Sequence, residues 1–274
     1  MNANDRPIAF LDSGVGGLPY LAMARDKLPN DSFVYLADRA GFPYGPKPAS
    51  VIIDNVRSIV DRLMKKTEPK ALVIACNTAS QLTLEILKAE YPGFPIVGTI
   101  PAVKPAAELS KAGVIGVVAT QSTVTAPFFD ELVKSKAGSC KVLRRGDPVL
   151  VDFIEKRFLA SSKEERLAAV KPAVDSFLSD GADVIVLACT HFLHVYKEFV
   201  EMAGSKALIV DSREGVSKRL VELLAASYNS PAEKHLTAQK EKLPDRMFLT
   251  GPAPFEPIYQ GFAKAFNLQA AGSI

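Results

Sequence analysis

The chain has 274 residues, enough for one large α/β domain or two smaller ones, each with a hydrophobic core. Hydrophobic residues make up 48% of it and the net charge is +3, which excludes a disordered chain, and the lack of any basic block gives no electrostatic basis for nucleic-acid binding. The sequence shows no apolar run near the roughly 18 residues that span a bilayer and no signal-peptide core, so we expect a cytoplasmic protein without membrane attachment.

Short apolar runs alternate with amphipathic segments along most of the chain, a pattern typical of parallel strands joined by helices. Strands are predicted at 8–11, 33–36, 71–75, 96–97, 114–119, 141–143, 184–188, 208–210 and 247–249. Helices are predicted at 18–27, 51–65, 83–89, 101–110, 125–134, 149–158, 164–179 and 212–227. Residues 228–245 are rich in charge and are predicted to be a linker. The expected class is therefore α/β with parallel sheets.

Two segments of the chain resemble each other. Residues 70–78 read Lys-Ala-Leu-Val-Ile-Ala-Cys-Asn-Thr, and residues 183–191 read Asp-Val-Ile-Val-Leu-Ala-Cys-Thr-His. Each is an apolar strand that ends in Ala-Cys and continues into polar residues. Buried parallel strands resemble one another in any such protein, but a cysteine at the same strand end is not expected from that cause. We infer two similar α/β halves that face each other.

The three cysteines are widely spaced and odd in number, which argues against a disulfide framework. Cys76 precedes a predicted helix, whose N-terminus favours the thiolate, so its pKa should fall below about 8.5. The alternative is an ordinary buried cysteine. Cys189 likewise follows a predicted strand, with His191 two residues away. Cys140 has no comparable polar motif beside it and is interpreted as structural.

The segment Asp12-Ser-Gly-Val-Gly-Gly follows the first predicted strand and leads into a helix. Its glycines lack the spacing of a dinucleotide fingerprint, so a nucleotide cofactor is weakly supported. They would let backbone amides approach an anion at a helix N-terminus. A helix N-cap role for Asp12 and Ser13 is the alternative. Because ligands of open α/β sheets bind beyond the carboxyl ends of the strands, these polar residues are candidate site residues.

The cysteines leave three hypotheses open. Two thiols and His191 could hold a catalytic zinc with an open fourth position, although structural zinc sites usually show close cysteine pairs. Cys189 and His191 could be the nucleophile and base of a hydrolase, which leaves Cys76 without a role. A non-catalytic binding protein on the same fold would not need both cysteines.

Four segments together resemble the glutamate racemases of the aspartate/glutamate racemase superfamily. They are Phe10-Leu-Asp-Ser-Gly-Val-Gly-Gly, Asp38-Arg-Ala-Gly-Phe-Pro-Tyr-Gly, Ala75-Cys-Asn-Thr-Ala-Ser and Ala188-Cys-Thr-His-Phe. The resemblance implies two similar parallel-sheet α/β domains related by pseudo-twofold symmetry, with the active site in the cleft between them. The domains would comprise 1–99 with 211–274, and 100–210. It also implies a glutamate substrate, no cofactor, no metal and a homodimer.

The resemblance assigns roles to individual residues. Cys76 and Cys189 would be the proton-transferring thiols, Cys76 acting on D-glutamate and Cys189 on L-glutamate. The substrate would be held by Asp12, Ser13, Tyr44, Gly45, Asn77, Thr78, Thr190 and His191. Asp38 and Glu155 would be auxiliary groups that tune or assist the thiols, as would His191. From the sequence alone, both carboxylates could equally lie on the solvated surface.

The implied reaction supplies D-glutamate for bacterial peptidoglycan. It removes a weakly acidic Cα proton and returns one on the other face, which two flanking groups achieve more readily than one base. The chain departs from the family's usual pattern at Gly41, at Phe192-Leu193 and at Pro252. Since the Phe192-Leu193 departure lies beside the site, a relative acting on aspartate or a hydantoin is the alternative.

Overall fold

A computed structural model of the chain describes residues 6–228 and 242–274. It divides into two compact units, Met1–Thr99 with Arg213–Ile274, and Ile100–Ser212. Most of the predicted linker at 228–245 lies outside the described residues. No helix in the described part of the chain is long and apolar enough to cross a membrane.

The first unit contains a six-stranded sheet whose paired strands are all parallel, in the order β10-β9-β2-β1-β3-β4. Its strands are β1 (Ile8–Asp12), β2 (Phe33–Ala37), β3 (Ala71–Ile74), β4 (Ile96–Gly98), β9 (Arg246–Leu249) and β10 (Gln269–Ser273). Its helices are α1 (Leu18–Lys27), α2 (Ala49–Thr67), α3 (Asn77–Glu90), α10 (Arg213–Tyr228) and α11 (Pro257–Ala265).

The central strands of this sheet are buried along their whole length, since every residue of β1, β2 and β3 is buried. A sheet covered by helices on both faces requires such continuous apolar runs. Helix α2 shows how the cover forms: its buried residues recur at helical spacing, on one face. They are Ile52, Val56, Ile59, Val60, Leu63 and Thr67.

The second unit contains a four-stranded parallel sheet in the order β6-β5-β7-β8. Its strands are β5 (Val114–Ala119), β6 (Lys141–Gly146), β7 (Val184–Leu187) and β8 (Leu208–Val210). Its helices are α4 (Val103–Leu109), α5 (Gln121–Thr125), α6 (Pro127–Lys136), α7 (Pro148–Arg157), α8 (Lys163–Ser179) and α9 (Tyr196–Ala203). A 3-10 helix at Thr190–Val195 precedes α9.

Local sequence explains how α8 starts and how it packs. Ser162 and Glu165 form a capping box, in which each side chain accepts a hydrogen bond from the other residue's backbone amide. The ring of Phe177 lies so close to β5 that a Cβ at Gly116 would be 2.5 Å from it. Glycine at this position therefore lets helix and sheet pack in direct contact.

The predicted α/β class with parallel sheets is confirmed, and the nine predicted strands all form, with small shifts at their ends. The prediction missed the edge strand β10 and helices α5, α9 and α11. It also began the third helix too late, at residue 83, whereas α3 begins at Asn77. The residues that follow Cys76 were nevertheless predicted to begin a helix, and they form its first turn.

Candidate active site

In the first unit, the register of the sheet brings four polar strand ends to one edge. Asp12 ends β1 opposite Ala37 of β2, and the Asp38 amide donates to the Asp12 carbonyl at 2.8 Å. On the far side of β2, the Thr250 amide donates to the Ala37 carbonyl at 3.1 Å. Cys76 follows β3 on the other side of β1. Parallel pairing therefore places residues from distant parts of the sequence at the same edge.

Cys76 occupies the N-cap position of α3, and its carbonyl accepts the first hydrogen bond of the helix, from Ser80 at 2.8 Å. The thiol is 6% exposed and lies 3.8 Å from the Ser13 hydroxyl. Asn77 and Thr78 form the first turn, where the backbone amides have no acceptor within the helix. This end of α3 carries positive partial charge, which favours a thiolate and an anionic ligand.

Asp12 at the end of β1 and Ser13 directly after it are buried, and the helix-cap interpretation of them is wrong. Helix α1 begins after Gly17 with no side-chain cap. The Asp12 carboxylate instead accepts from the Gly14 amide at 2.9 Å and from the Ser13 hydroxyl at 3.3 Å. The two side chains are therefore fixed by the turn itself.

The turn after β1 is supported by Tyr35 from β2, a residue that the sequence did not single out. Its hydroxyl donates to the Gly14 carbonyl at 2.8 Å and accepts from the Gly17 amide at 3.0 Å. A Cβ at Gly17 would lie 2.6 Å from the Ala75 Cβ. The glycine at position 17 therefore serves close packing of this turn against the strand that leads to Cys76.

Asp38 is 1% exposed, so the surface interpretation of this carboxylate is wrong. It accepts hydrogen bonds from the Gly41 amide and from the side chains of Tyr44, Asn55 and Thr250. Burial and the neighbouring Asp38 carboxylate raise the pKa of the Tyr44 hydroxyl above its ordinary value. Tyr44 is thus a neutral donor, and Gly45 follows it in a turn.

In the second unit, Cys189 follows β7 and is 5% exposed. Its sulfur lies 3.9 Å from Nδ1 of His191, and Nε2 of that ring lies 2.7 Å from the Glu155 carboxylate. Glu155 is 4% exposed and belongs to α7, so the surface interpretation is wrong for this residue too. Thr190, also buried, begins the 3-10 helix that carries His191.

The electrostatics of this group centre on the imidazole. Burial acts to lower the pKa of His191, but its hydrogen bonds with Cys189 and Glu155 and their charges outweigh burial and raise it well above 6.5. At neutral pH the ring therefore carries protons on both nitrogens and donates on both sides. One proton faces Glu155 and the other faces the Cys189 sulfur.

All three cysteines are reduced thiols. Cys140 lies just before β6 at the edge of an open cavity of about 510 Å³, with its sulfur 3.7 Å from the Ala107 carbonyl. None of the predicted site residues lines that cavity. Within residues 6–228 and 242–274, no group of three His, Cys, Asp or Glu side chains is arranged to hold a metal, so the zinc hypothesis gains no support.

Known proteins resemble this chain over most of its length. Residues 20–244 match the sequence model of a family described as Asp/Glu/Hydantoin racemase. The glutamate racemase of Sphingopyxis alaskensis is 42% identical over 223 residues, covering 81% of this chain and 83% of that protein. The glutamate racemase of Treponema pallidum is 40% identical over 215 residues, covering 78% and 80%.

Solved structures give the same result. The crystal structure of Escherichia coli glutamate racemase, in complex with L-glutamate and the activator UDP-MurNAc-Ala, matches with a TM-score of 0.84. The two chains are 29% identical, and the match covers 98% of each. The structural match therefore extends to both units of this chain.

Proposed function

Because this chain belongs to the Asp/Glu/Hydantoin racemase family, we propose that it interconverts L-glutamate and D-glutamate with two thiols and without a cofactor. The observation that carries the proposal is the repeated placement of Cys76 and Cys189. Each follows a strand next to the edge of its own parallel sheet, each is buried, and each begins a helical segment. The relatives named glutamate racemase support the choice of substrate.

The reaction needs a base on one face of the α-carbon and an acid on the other. One cysteine begins as thiolate and removes the proton, while the second begins as thiol and supplies one. The roles exchange with the direction of reaction. We assign L-glutamate to Cys189 and D-glutamate to Cys76, as the family resemblance implies.

Deprotonation places charge on the α-carbon and carboxylate, which fixed donors must stabilise. The first amides of α3 and the side chains of Asn77 and Thr78 supply such donors beside Cys76. The buried carboxylate of Asp12 suits the substrate ammonium group. Among the described residues nothing donates to Oδ1 of Asn77, which leaves an acceptor for a ligand. Ser13, Tyr44 and Gly45 complete this side of the substrate site.

Thr190 and His191 contact the substrate on the Cys189 side, with Glu155 as an auxiliary group. His191, protonated on both nitrogens, donates to the Cys189 sulfur on one side and to the Glu155 carboxylate on the other. A hydrolase using Cys189 and His191 would leave Cys76 without a role. The relatives named glutamate racemase do not favour that alternative.

The product, D-glutamate, would serve peptidoglycan synthesis in the cytoplasm.

We propose that the active form of the protein is a homodimer. Light scattering coupled to size exclusion measures the mass directly, against 29.5 kDa for one chain. A single peak at the monomer mass across the working concentration range contradicts the dimer without affecting the proposed reaction.

Circular dichroism of L-glutamate, incubated with dialysed protein and no added cofactor, tests the activity. L-Aspartate and a 5-substituted hydantoin are assayed beside it. We expect the signal of L-glutamate to decay to zero while the other two change far more slowly. Faster decay with aspartate or the hydantoin contradicts the substrate, and activity that requires added zinc or pyridoxal phosphate contradicts the cofactor-independent mechanism.

Solvent deuterium tests the two-thiol mechanism separately. When L-glutamate reacts in heavy water and is stopped early, the first thiol keeps the abstracted protium and the second delivers a hydron from solvent. D-Glutamate should therefore carry deuterium at Cα from the start, while the remaining L-glutamate stays largely protiated. Substantial protium in early D-glutamate, measured by mass spectrometry after separation of the enantiomers, contradicts two thiols even in an active racemase.

A further inference from the structure

The Asp38 carboxylate is the meeting point of four segments of the first unit. Its Oδ1 accepts from the Gly41 amide at 3.1 Å and from the Thr250 hydroxyl at 2.5 Å. Its Oδ2 accepts from the Tyr44 hydroxyl at 2.7 Å and from the Asn55 amide group at 2.5 Å. A carboxylate has about four lone-pair sites, so these donors occupy all of them.

The backbone around Asp38 leaves space for its carboxylate and brings the four donors to it. A Cβ at Gly41 would lie 1.9 Å from Oδ2 of Asp38, so the carboxylate fills the space that a side chain at position 41 would need. Asn55 approaches from α2, and Thr250 follows β9, which pairs with β2. The Thr250 hydroxyl also accepts from the Ala40 amide at 3.0 Å, on the same turn.

The network leads to the candidate site through Tyr44. Tyr44 is 3% exposed and shares a buried cluster with Cys76, whose charge adds to the rise in the pKa of the tyrosine. The turn at Gly45 follows directly. Any movement of Asp38 would therefore move the segment that the proposed function places against the substrate.

We propose that Thr250 and Asn55 are positioning residues, which fix Asp38 and through it hold Tyr44 and Gly45 in place for the substrate. The proposal rests on the proposed function. It gives Asp38 the role of a fixed acceptor, because four donors meet at its two carboxylate oxygens. Thr250 thus links the segment after β9, near the end of the chain, to substrate binding.

Steady-state kinetics of Thr250→Val test this role, since valine keeps the shape and removes the hydroxyl. Losing a hydrogen bond to a charged group should raise KM for glutamate about 10- to 100-fold, with kcat within about threefold of wild type. The pH profile of kcat should not move. Thr250→Ser restores the hydroxyl and should return KM to within about threefold of wild type.

Thr67→Val is the matched control, because Thr67 is also buried and its hydroxyl donates at 2.8 Å to a backbone carbonyl within α2. It removes the same chemical group away from the network, so its KM should equal that of wild type. If Thr250→Val does not fold, Asn55→Ala, which removes the other donor, replaces it with the same expected rise in KM.

Equal KM values for Thr250→Val and Thr67→Val overturn the proposal. So does a shifted pH profile of kcat with an unchanged KM, which would make Asp38 a group that tunes proton transfer. In the same assay, the wild-type protein alone shows which acid is the substrate. The variants are then compared with whichever acid it racemises, so an error in the substrate and an error in the positioning role give different results.

Discussion

The two strand ends that carry cysteine differ in how they surround the thiol. Cys76 is the N-cap of a 14-residue α-helix and has a neutral hydroxyl 3.8 Å away. Cys189 is the N-cap of a six-residue 3-10 helix and faces an imidazole at 3.9 Å, which is itself held by a buried carboxylate. The first end relies on aligned backbone dipoles and the second on a charged side chain. The same position in two parallel sheets thus has positive charge of two different kinds beside the thiol.

The largest expected effect comes from removing either thiol. Cys76→Ser and Cys189→Ser should each lower racemisation at least about 10³-fold in both directions, because each turnover needs both groups. Each variant keeps one base, however. Cys76→Ser should still exchange the Cα hydrogen of L-glutamate with heavy water, and Cys189→Ser that of D-glutamate, both without inversion.

NMR of the Cα hydrogen measures this exchange, and Cys140→Ser is the control that should behave as wild type. Exchange of the opposite enantiomers would reverse the assignment of the two thiols. Near-normal racemisation by either variant would contradict the requirement for both.

Removing the charge behind His191 should have the next largest effect. Glu155→Gln should lower kcat/KM about 10- to 100-fold, since glutamine can still accept from His191 but no longer carries the negative charge of the pair. The fall must be equal in both directions, because one equilibrium constant links them.

Exchange in the single-thiol backgrounds shows which side is affected. Glu155→Gln should slow L-glutamate exchange in the Cys76→Ser protein and leave D-glutamate exchange unchanged in the Cys189→Ser protein. Equal slowing in both would mean that the carboxylate does not act through Cys189.

The charged pair should also make stability depend on pH. Because the folded pKa of His191 lies well above 6.5, its stabilising effect is fully present below about pH 6.5 and is lost as pH rises through the folded value. Urea unfolding of wild type and His191→Asn should therefore differ by about 1–3 kcal/mol at pH 6 and by less in the alkaline range. A difference that grows with pH would contradict the protonated state.

The smallest effect is expected on the Cys76 side. Ser13→Ala removes a neutral hydroxyl 3.8 Å from the thiol, so kcat/KM should fall about 2- to 10-fold, less than for Glu155→Gln. Thr83→Val, which removes a buried hydroxyl farther along α3, is the control. A larger loss in Ser13→Ala than in Glu155→Gln would reverse the contrast between the two strand ends.

The strands and the cysteine positions could be predicted because they depend on local patterns. Buried parallel strands are continuous apolar runs, and the repeated Ala-Cys marks where two of them end. The α/β class follows from these features, whereas the family was identified by the resemblance of four segments to the glutamate racemases. The strand β10 was missed because Gln269–Ser273 has small and polar residues at the edge of the sheet.

The supporting residues of the site could not be predicted, because their roles depend on contacts between distant segments. Thr250 contacts Asp38 across 212 positions of sequence, and Asn55 lies on a helix face without any motif. The sequence likewise left open whether Asp38 and Glu155 are buried, since charged residues are usually exposed. In the structure each is buried among hydrogen-bond donors. In the sequence, Tyr35 is an ordinary residue of a predicted strand. Only the folded structure shows that its hydroxyl forms hydrogen bonds with the turn after β1.

That tyrosine has a consequence for local motion. Its ring is fully buried in the sheet, while its hydroxyl holds both ends of the glycine turn that carries Ser13. The turn cannot open without breaking a contact that the hydrophobic core keeps in place. The Gly17 amide should therefore exchange its hydrogen with solvent as slowly as the amides of β1, although it belongs to a connecting segment, where exchange is usually fast.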